Sequence, residues 1–172
     1  MTGLRHVLRA VLILAALTFG SGTALAGNPK DALLDHMAGR WILRGTIEGR
    51  QTTHDIHAKW VLHDRYIRLT EVSREKDASG KPQYEAEVLL GYDAAKARYV
   101  CFWFDNTGVA SPGSGGIAQR EGDTLPFVFK TSEGDFQTTM AYDAKVDTWQ
   151  WRMDANQNGT LQPFARVTLL RH

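Results

Sequence analysis

Cysteine is almost missing from this chain: Cys101 is the only one, so no intrachain disulfide can staple the fold. A basic excess is missing too, with 20 Lys+Arg against 19 Asp+Glu. A nucleic-acid binder carries a basic patch or stripe, so that class of partner is set aside. The chain has no Ser-His-Asp spacing pattern, no nucleophile elbow, no phosphate-cradling glycine loop and no zinc signature. Helical periodicity all but vanishes after Ala38, which excludes an alternating β-α architecture. No apolar run reaches the roughly 20 residues that a membrane-spanning helix needs.

The first 26 residues have the makings of an export leader. Arg5 and Arg9 form a basic start, Ala10 to Phe19 a short apolar stretch, and Ala24-Leu25-Ala26 a small-x-small cleavage site before Gly27. The competing interpretation is an N-terminal membrane anchor, and the apolar stretch is short for one. The expectation is cleavage after Ala26, a periplasmic or secreted product with no stable membrane anchor, and one domain over residues 27–172. Removing Arg5 and Arg9 leaves 18 basic against 19 acidic residues, so the remaining chain is close to neutral. Its size suits one domain with a substantial core.

The rest of the chain is organised around Tyr84 to Phe104. Two runs rich in β-branched and aromatic residues, Tyr84–Asp93 and Arg98–Phe104, flank a turn at Ala94–Ala97, as in an antiparallel hairpin. Glu85 and Glu87 alternate with Ala86, Val88 and Leu90, so one face of the first run is wet. The second run is apolar on both faces, as in a strand covered on both sides. The turn recurs at Tyr142 to Trp149.

Further strands are expected at Arg40–Ile47, Thr52–Leu62, Arg65–Arg74, Ile117–Arg120, Leu125–Lys130, Phe136–Tyr142, Trp149–Met153 and Pro163–Leu170. Turns separate them, including one spanning Asp154 to Gly159. Asn158-Gly159-Thr160 is both a glycosylation sequon and an Asn-Gly turn, and the turn is preferred. Val109 to Gly116, with Pro112 and three glycines, is expected to be an irregular strand or loop. Asp31, Leu33, Leu34 and Met37 fit a short helix begun by Pro29 and ended by Gly39. Turn signals every ten residues or so point to an all-β fold. A single antiparallel up-and-down barrel of eight to ten strands is favoured, because closure removes the edges of a long meander.

Gly39-Arg40-Trp41, straight after the short helix, resembles the Gly-x-Trp signature of lipocalins and related calycin barrels. The resemblance implies that Trp41 packs across one barrel end beneath an arginine from the last strand, Arg166 or Arg171. The wider pattern adds Trp60-x-Leu62, Arg65-Tyr66-Ile67, Gly91-Tyr92-Asp93 before Lys96-x-x-Tyr99, and Phe104-Asp105-x-x-Gly108. From about Leu34 to Leu170 the chain looks like a bacterial domain-of-unknown-function family with a lipocalin-like barrel. That resemblance implies a fold and no catalytic residues. Haem-binding relatives use a late histidine on iron. The one late histidine here, His172, is terminal, so no haem or other cofactor is expected.

Candidate site residues follow from strand parity. His54 shares a face with Ile56, Ala58, Trp60 and Leu62, so it is expected to point inward. His54 and His57 lie on opposite faces, and His57 and His63 stand about 20 Å apart at strand rise, so no metal site is expected there. His54 is then either a cavity residue or a rim histidine bonded to a neighbour. The expected interior liners are His54, Trp60, Tyr66, Phe102, Met140 and Trp151. Arg68 joins them, pairing with a carboxylate ligand, if its face of the third strand turns inward. If that face turns out, Arg68 is a solvated charge. Cys101, between Val100 and Phe102, is expected to be buried packing.

These residues support three functional readings. The favoured one is non-covalent binding of a small apolar or amphipathic molecule inside the barrel, which ligand sites of mostly apolar lining make natural. The second is a cavity enzyme, isomerase- or hydrolase-like, with His54 as general base; no catalytic residue is assigned otherwise. The third is a filled structural or partner-binding barrel.

Overall fold

In a computed structural model the described residues are 30–108, 115–132 and 134–172. They form a short helix, α1 (Ala32–Asp35), and ten strands: β1 (Gly39–Ile47), β2 (Arg50–Val61), β3 (Tyr66–Ser73), β4 (Glu85–Asp93), β5 (Arg98–Asp105), β6 (Gly116–Ala118), β7 (Thr124–Thr131), β8 (Gly134–Asp143), β9 (Thr148–Gln157) and β10 (Thr160–Arg171). Each strand pairs antiparallel with its sequence neighbour, and β1 pairs with β10 to close the barrel. The all-β fold is therefore as expected, at the upper end of the strand count. Closure gives every described strand a neighbour on both sides.

The turns explain why the meander closes so tightly. Glu48-Gly49 and Asn158-Gly159 both have positive φ at each central residue, the conformation that matches strand twist in a two-residue hairpin. Asn158-Gly159 thus serves as a turn, and β9 runs on to Gln157 where a longer turn from Asp154 was expected. Asp154, Ala155 and Asn156 keep ladder partners on β10, so the strand has no reason to stop earlier. The repeated Asp–Lys turns also share geometry: Ala97 and Asp147, each just before its second strand, have φ of 47° and 49°. Residues 109–114 of the expected irregular segment lie outside the described residues. Gly116 begins β6.

Alternation along the strands divides the molecule into an apolar inside and a polar outside. Trp41, Leu43, Ile56, Ile67, Leu69, Val88, Leu90, Cys101, Leu125, Phe127, Met140, Trp149, Trp151, Val167 and Leu169 make one continuous core. Asp31 caps α1, accepting from the Leu33 and Leu34 N–H groups at 3.0 and 2.9 Å. It stands before the helix rather than in its first turn. That short helix drives Leu33, Leu34 and Met37 onto one end of the core.

Arg171, not Arg166, covers Trp41. Its guanidinium lies 4.0 Å from the indole centroid and donates to the Ala38 and His36 carbonyls. Arg166 faces outward to Asp154. Among the described residues no helix is long and apolar enough to cross a membrane.

Candidate functional site

The barrel is packed unevenly along its axis. At the α1 end and through the middle, Trp149, Trp151, Met140, Leu90, Val88, Leu125 and Phe127 are all fully buried. At the opposite end the inward layer loosens: Phe129 and Met153 are 8% and 7% exposed, while Tyr84, Trp103, Phe136 and Phe164 are only partly buried. The polar interior residues gather in this second layer. His54 on β2 and Glu71 and Ser73 on β3 are each 3% exposed.

Register brings them together. His54 stands opposite Ser73 and Ile56 opposite Glu71, so His54 and Glu71 are diagonal neighbours on the inner face. Glu71 also stands opposite Ala86, and Ala86 opposite Asp105, which places Tyr84, Trp103 and Asp105 on the same inner layer. The His54 Nδ1–Glu71 Oε1 separation is 2.5 Å. His54 Nε2 lies 2.8 Å from Thr52 Oγ1, whose hydroxyl donates to Glu75 Oε2 at 3.0 Å. Glu75 Oε1 accepts the Thr53 N–H. Above the pair, the Tyr84 ring stacks on His54 at 5.5 Å between centroids. Trp103 Nε1 donates to the Tyr84 hydroxyl at 2.9 Å, and Trp103 meets Trp151 edge-on at 5.9 Å.

The proton positions follow from this chain of bonds. Burial works to raise the Glu75 carboxyl, but N–H groups of its own backbone and of Thr53, with the Thr52 hydroxyl, hold it below its usual value. Glu75 is therefore a carboxylate, which only accepts. The single Thr52 proton goes to Glu75, so Thr52 Oγ1 accepts from His54 Nε2–H. One proton is left for the short Nδ1–Oε1 contact, and the His54–Glu71 pair carries no net charge. Burial, then the Glu71 charge, holds the Tyr84 phenol far above its ordinary range, so it stays a neutral donor and acceptor.

Two polar atoms in and beside this layer are left over. Glu71 Oε2, an acceptor, and Trp151 Nε1, a donor, are buried and unpartnered. Trp149 Nε1 at the α1 end is a third such atom. Buried polar groups are normally bonded, so an unpaired carboxylate oxygen marks a place where a partner belongs. Among the described residues no group of three or more His, Cys, Asp and Glu could hold a metal ion.

Of the expected liners, the barrel brings His54, Trp151 and Met140 together inside. Trp60 keeps inward parity but sits at the α1 end. There its indole N–H donates to Asp35 at 2.6 Å and borders an outside cleft of about 290 Å³ with Lys30, Arg65 and Tyr92. Tyr66, Arg68 and Phe102 do not line the interior. Ile67, Leu69 and Glu71 take the inner face of β3, which turns Tyr66 and Arg68 outward, and Arg68 stands 3.6 Å from exposed Glu87. On β5, Tyr99, Cys101 and Trp103 point in, leaving Phe102 and Phe104 outside at 38% and 46% exposure. β5 is thus not covered on both sides among the described residues. A second cleft, of about 300 Å³, lies on the outer side at Arg40, Asp55, His57 and His172.

Glu71, Tyr84 and Trp103 were not among the expected site residues. Parity alone pointed to Glu71 and Ser73, which continue the Ile67–Leu69 face, and to Tyr84, which precedes Ala86 and Val88.

Fold and site define a closed ten-stranded antiparallel barrel with a buried carboxylate–imidazole pair under an aromatic layer at one end. Over residues 27–162 the chain matches the model of a family described as protein of unknown function, DUF1579, and it belongs to that family. No curated protein matches it.

Proposed function

We propose that this protein binds a small apolar or amphipathic molecule, non-covalently, in the loosely packed layer at the end of the barrel opposite α1. The observation that carries this reading is the unpartnered Glu71 Oε2 within an aromatic layer that is looser than the rest of the core. Phe129, Phe136, Trp103 and Phe164 would desolvate an apolar body, while the polar pair fixes its orientation. The filled middle of the barrel confines the ligand to this end, so it is small or only partly enclosed.

Catalysis with His54 as general base has one observation in its favour, the carboxylate at Nδ1. Against it, Nε2 already donates to Thr52, which leaves neither ring nitrogen free to take a substrate proton. Binding is the better account.

Export belongs to the same proposal. Met1 to Ala26 has the order of a cleaved leader, and the family match begins at residue 27. Native mass spectrometry of the protein purified without organic extraction tests both parts. The expected result is a chain beginning at Gly27 with a defined extra mass that denaturation removes. Bare protein that also fails to enhance a hydrophobic fluorescent probe contradicts binding, and an intact Met1 contradicts cleavage.

A further inference from the structure

The inner layer at the end opposite α1 is one-sided in charge. Among the described residues its acidic members are Glu71, Glu75 and Asp105, and its only cationic candidate, His54, shares a single proton with Glu71. Of the described lysines and arginines with inward parity, Arg171 is spent on Trp41 and Asp147 at the other end. Arg50 stands exposed at the lip, beyond Thr52. Of the two unpartnered buried atoms here, Glu71 Oε2 is an acceptor among further acceptors, and the donor, Trp151 Nε1, is neutral.

From this we infer the class of head group, an inference that rests on the binding proposal above: this layer takes an apolar molecule ending in a hydrogen-bond donor, an ammonium or a hydroxyl, and rejects carboxylates and phosphates. A donor placed on Glu71 Oε2 supplies the missing bond. A carboxylate in that place puts oxygen against oxygen and adds charge to a site already rich in anions, with little water to screen it. An ammonium gains in addition from the ionised Glu75. Next to the pair lies the partly buried Tyr84, whose ring stacks on His54 and whose hydroxyl donates to Asp105 at 3.4 Å. The Trp103 and Trp151 indoles flank the layer and report its occupancy by their fluorescence.

The test compares three molecules of one chain length, octylamine, 1-octanol and octanoate, by isothermal titration of the purified protein at pH 7. Tryptophan emission is followed in parallel. The expected order is octylamine, then octanol, with octanoate at least tenfold weaker than octylamine. Glu71→Gln keeps the shape but replaces one carboxylate oxygen with an amide donor, so it should cut the amine-over-acid ratio at least fivefold. Octanoate binding as tightly as octylamine overturns the head-group inference and leaves the binding proposal standing. An unchanged ratio in a folded Glu71→Gln protein overturns it as well. If Glu71→Gln fails to fold, the order of the three ligands on the native protein decides alone. None of the three binding overturns both.

Discussion

His54 Nδ1 and Glu71 Oε1 meet at 2.5 Å inside the barrel although the residues are 17 apart in the chain, because the β2–β3 register sets them diagonally on one face. Both are almost completely buried, so each protects the other from standing as an unsolvated charge.

Removing one partner therefore costs more than removing both. His54→Leu leaves Glu71 buried alone and should lower unfolding stability by about 3 to 5 kcal/mol. The double variant His54→Leu/Glu71→Met replaces the pair with apolar volume and should recover most of that loss. Urea unfolding of both variants checks this. A double variant as unstable as the sum of its singles contradicts it.

At the other end, Arg171 lies over Trp41, donates to two carbonyls that end α1, and pairs with Asp147. Arg171→Ala should cost about 2 kcal/mol, as a partly exposed cation–π contact together with its hydrogen bonds warrants. Arg166→Ala, which touches only β9 backbone and Asp154, should cost less. Thermal unfolding distinguishes the two.

The Arg171 hydrogen bond holds the Asp147 carboxyl below its usual value of 3.8. A carboxyl depressed in the folded state adds stability above its unfolded value and loses it as pH falls through the folded one. Stability should therefore decline as pH drops below about 4, and Asp147→Asn should flatten that decline. Unfolding midpoints measured from pH 6 to pH 2 test the sign. A steeper acid decline in the variant contradicts it.

Much of this fold can be read from spacing. Parity placed His54 inside, the Asn-Gly pair marked the last hairpin, and Gly39-x-Trp41 announced a tryptophan beneath a late arginine. What spacing does not contain is register, since a one-residue slip exchanges the faces of a strand. Glu71 looked like one more alternating residue of β3 until β2 was laid beside it. Phe102 misled for the opposite reason: a strand apolar on both faces gives no parity signal, and Tyr99, Cys101 and Trp103 took the inner one. Gly45 belongs to the same class of unreadable facts. Its φ is 151°, and a Cβ there would fall 2.1 Å from the Arg166 carbonyl oxygen across the seam that closes the barrel.

Gly45→Ala should accordingly weaken the β1–β10 seam, costing about 3 kcal/mol or more in unfolding stability. Gly49→Ala, where a Cβ meets nothing within 4 Å, should cost only the strain of its positive φ, about 1 kcal/mol. Equal losses at the two sites would show that the close approach at the seam is not what matters.

Burial raises the Cys101 thiol far above its ordinary value, so little thiolate forms and the sulfur is shielded. A disulfide reagent should modify Cys101 only as fast as the barrel unfolds. Rapid labelling in native buffer contradicts this placement.

The most direct test of the account is nuclear magnetic resonance of protein labelled with ¹⁵N-histidine, recorded before and after adding octylamine. A protonated His54 Nε2 and a far-downfield Nδ1 proton shared with Glu71 are predicted in the free protein. On binding, the His54 signals should shift while those of exposed His57 and His63 stay in place. Octylamine that binds but leaves the His54 signals unmoved would contradict the placement of the site in this layer.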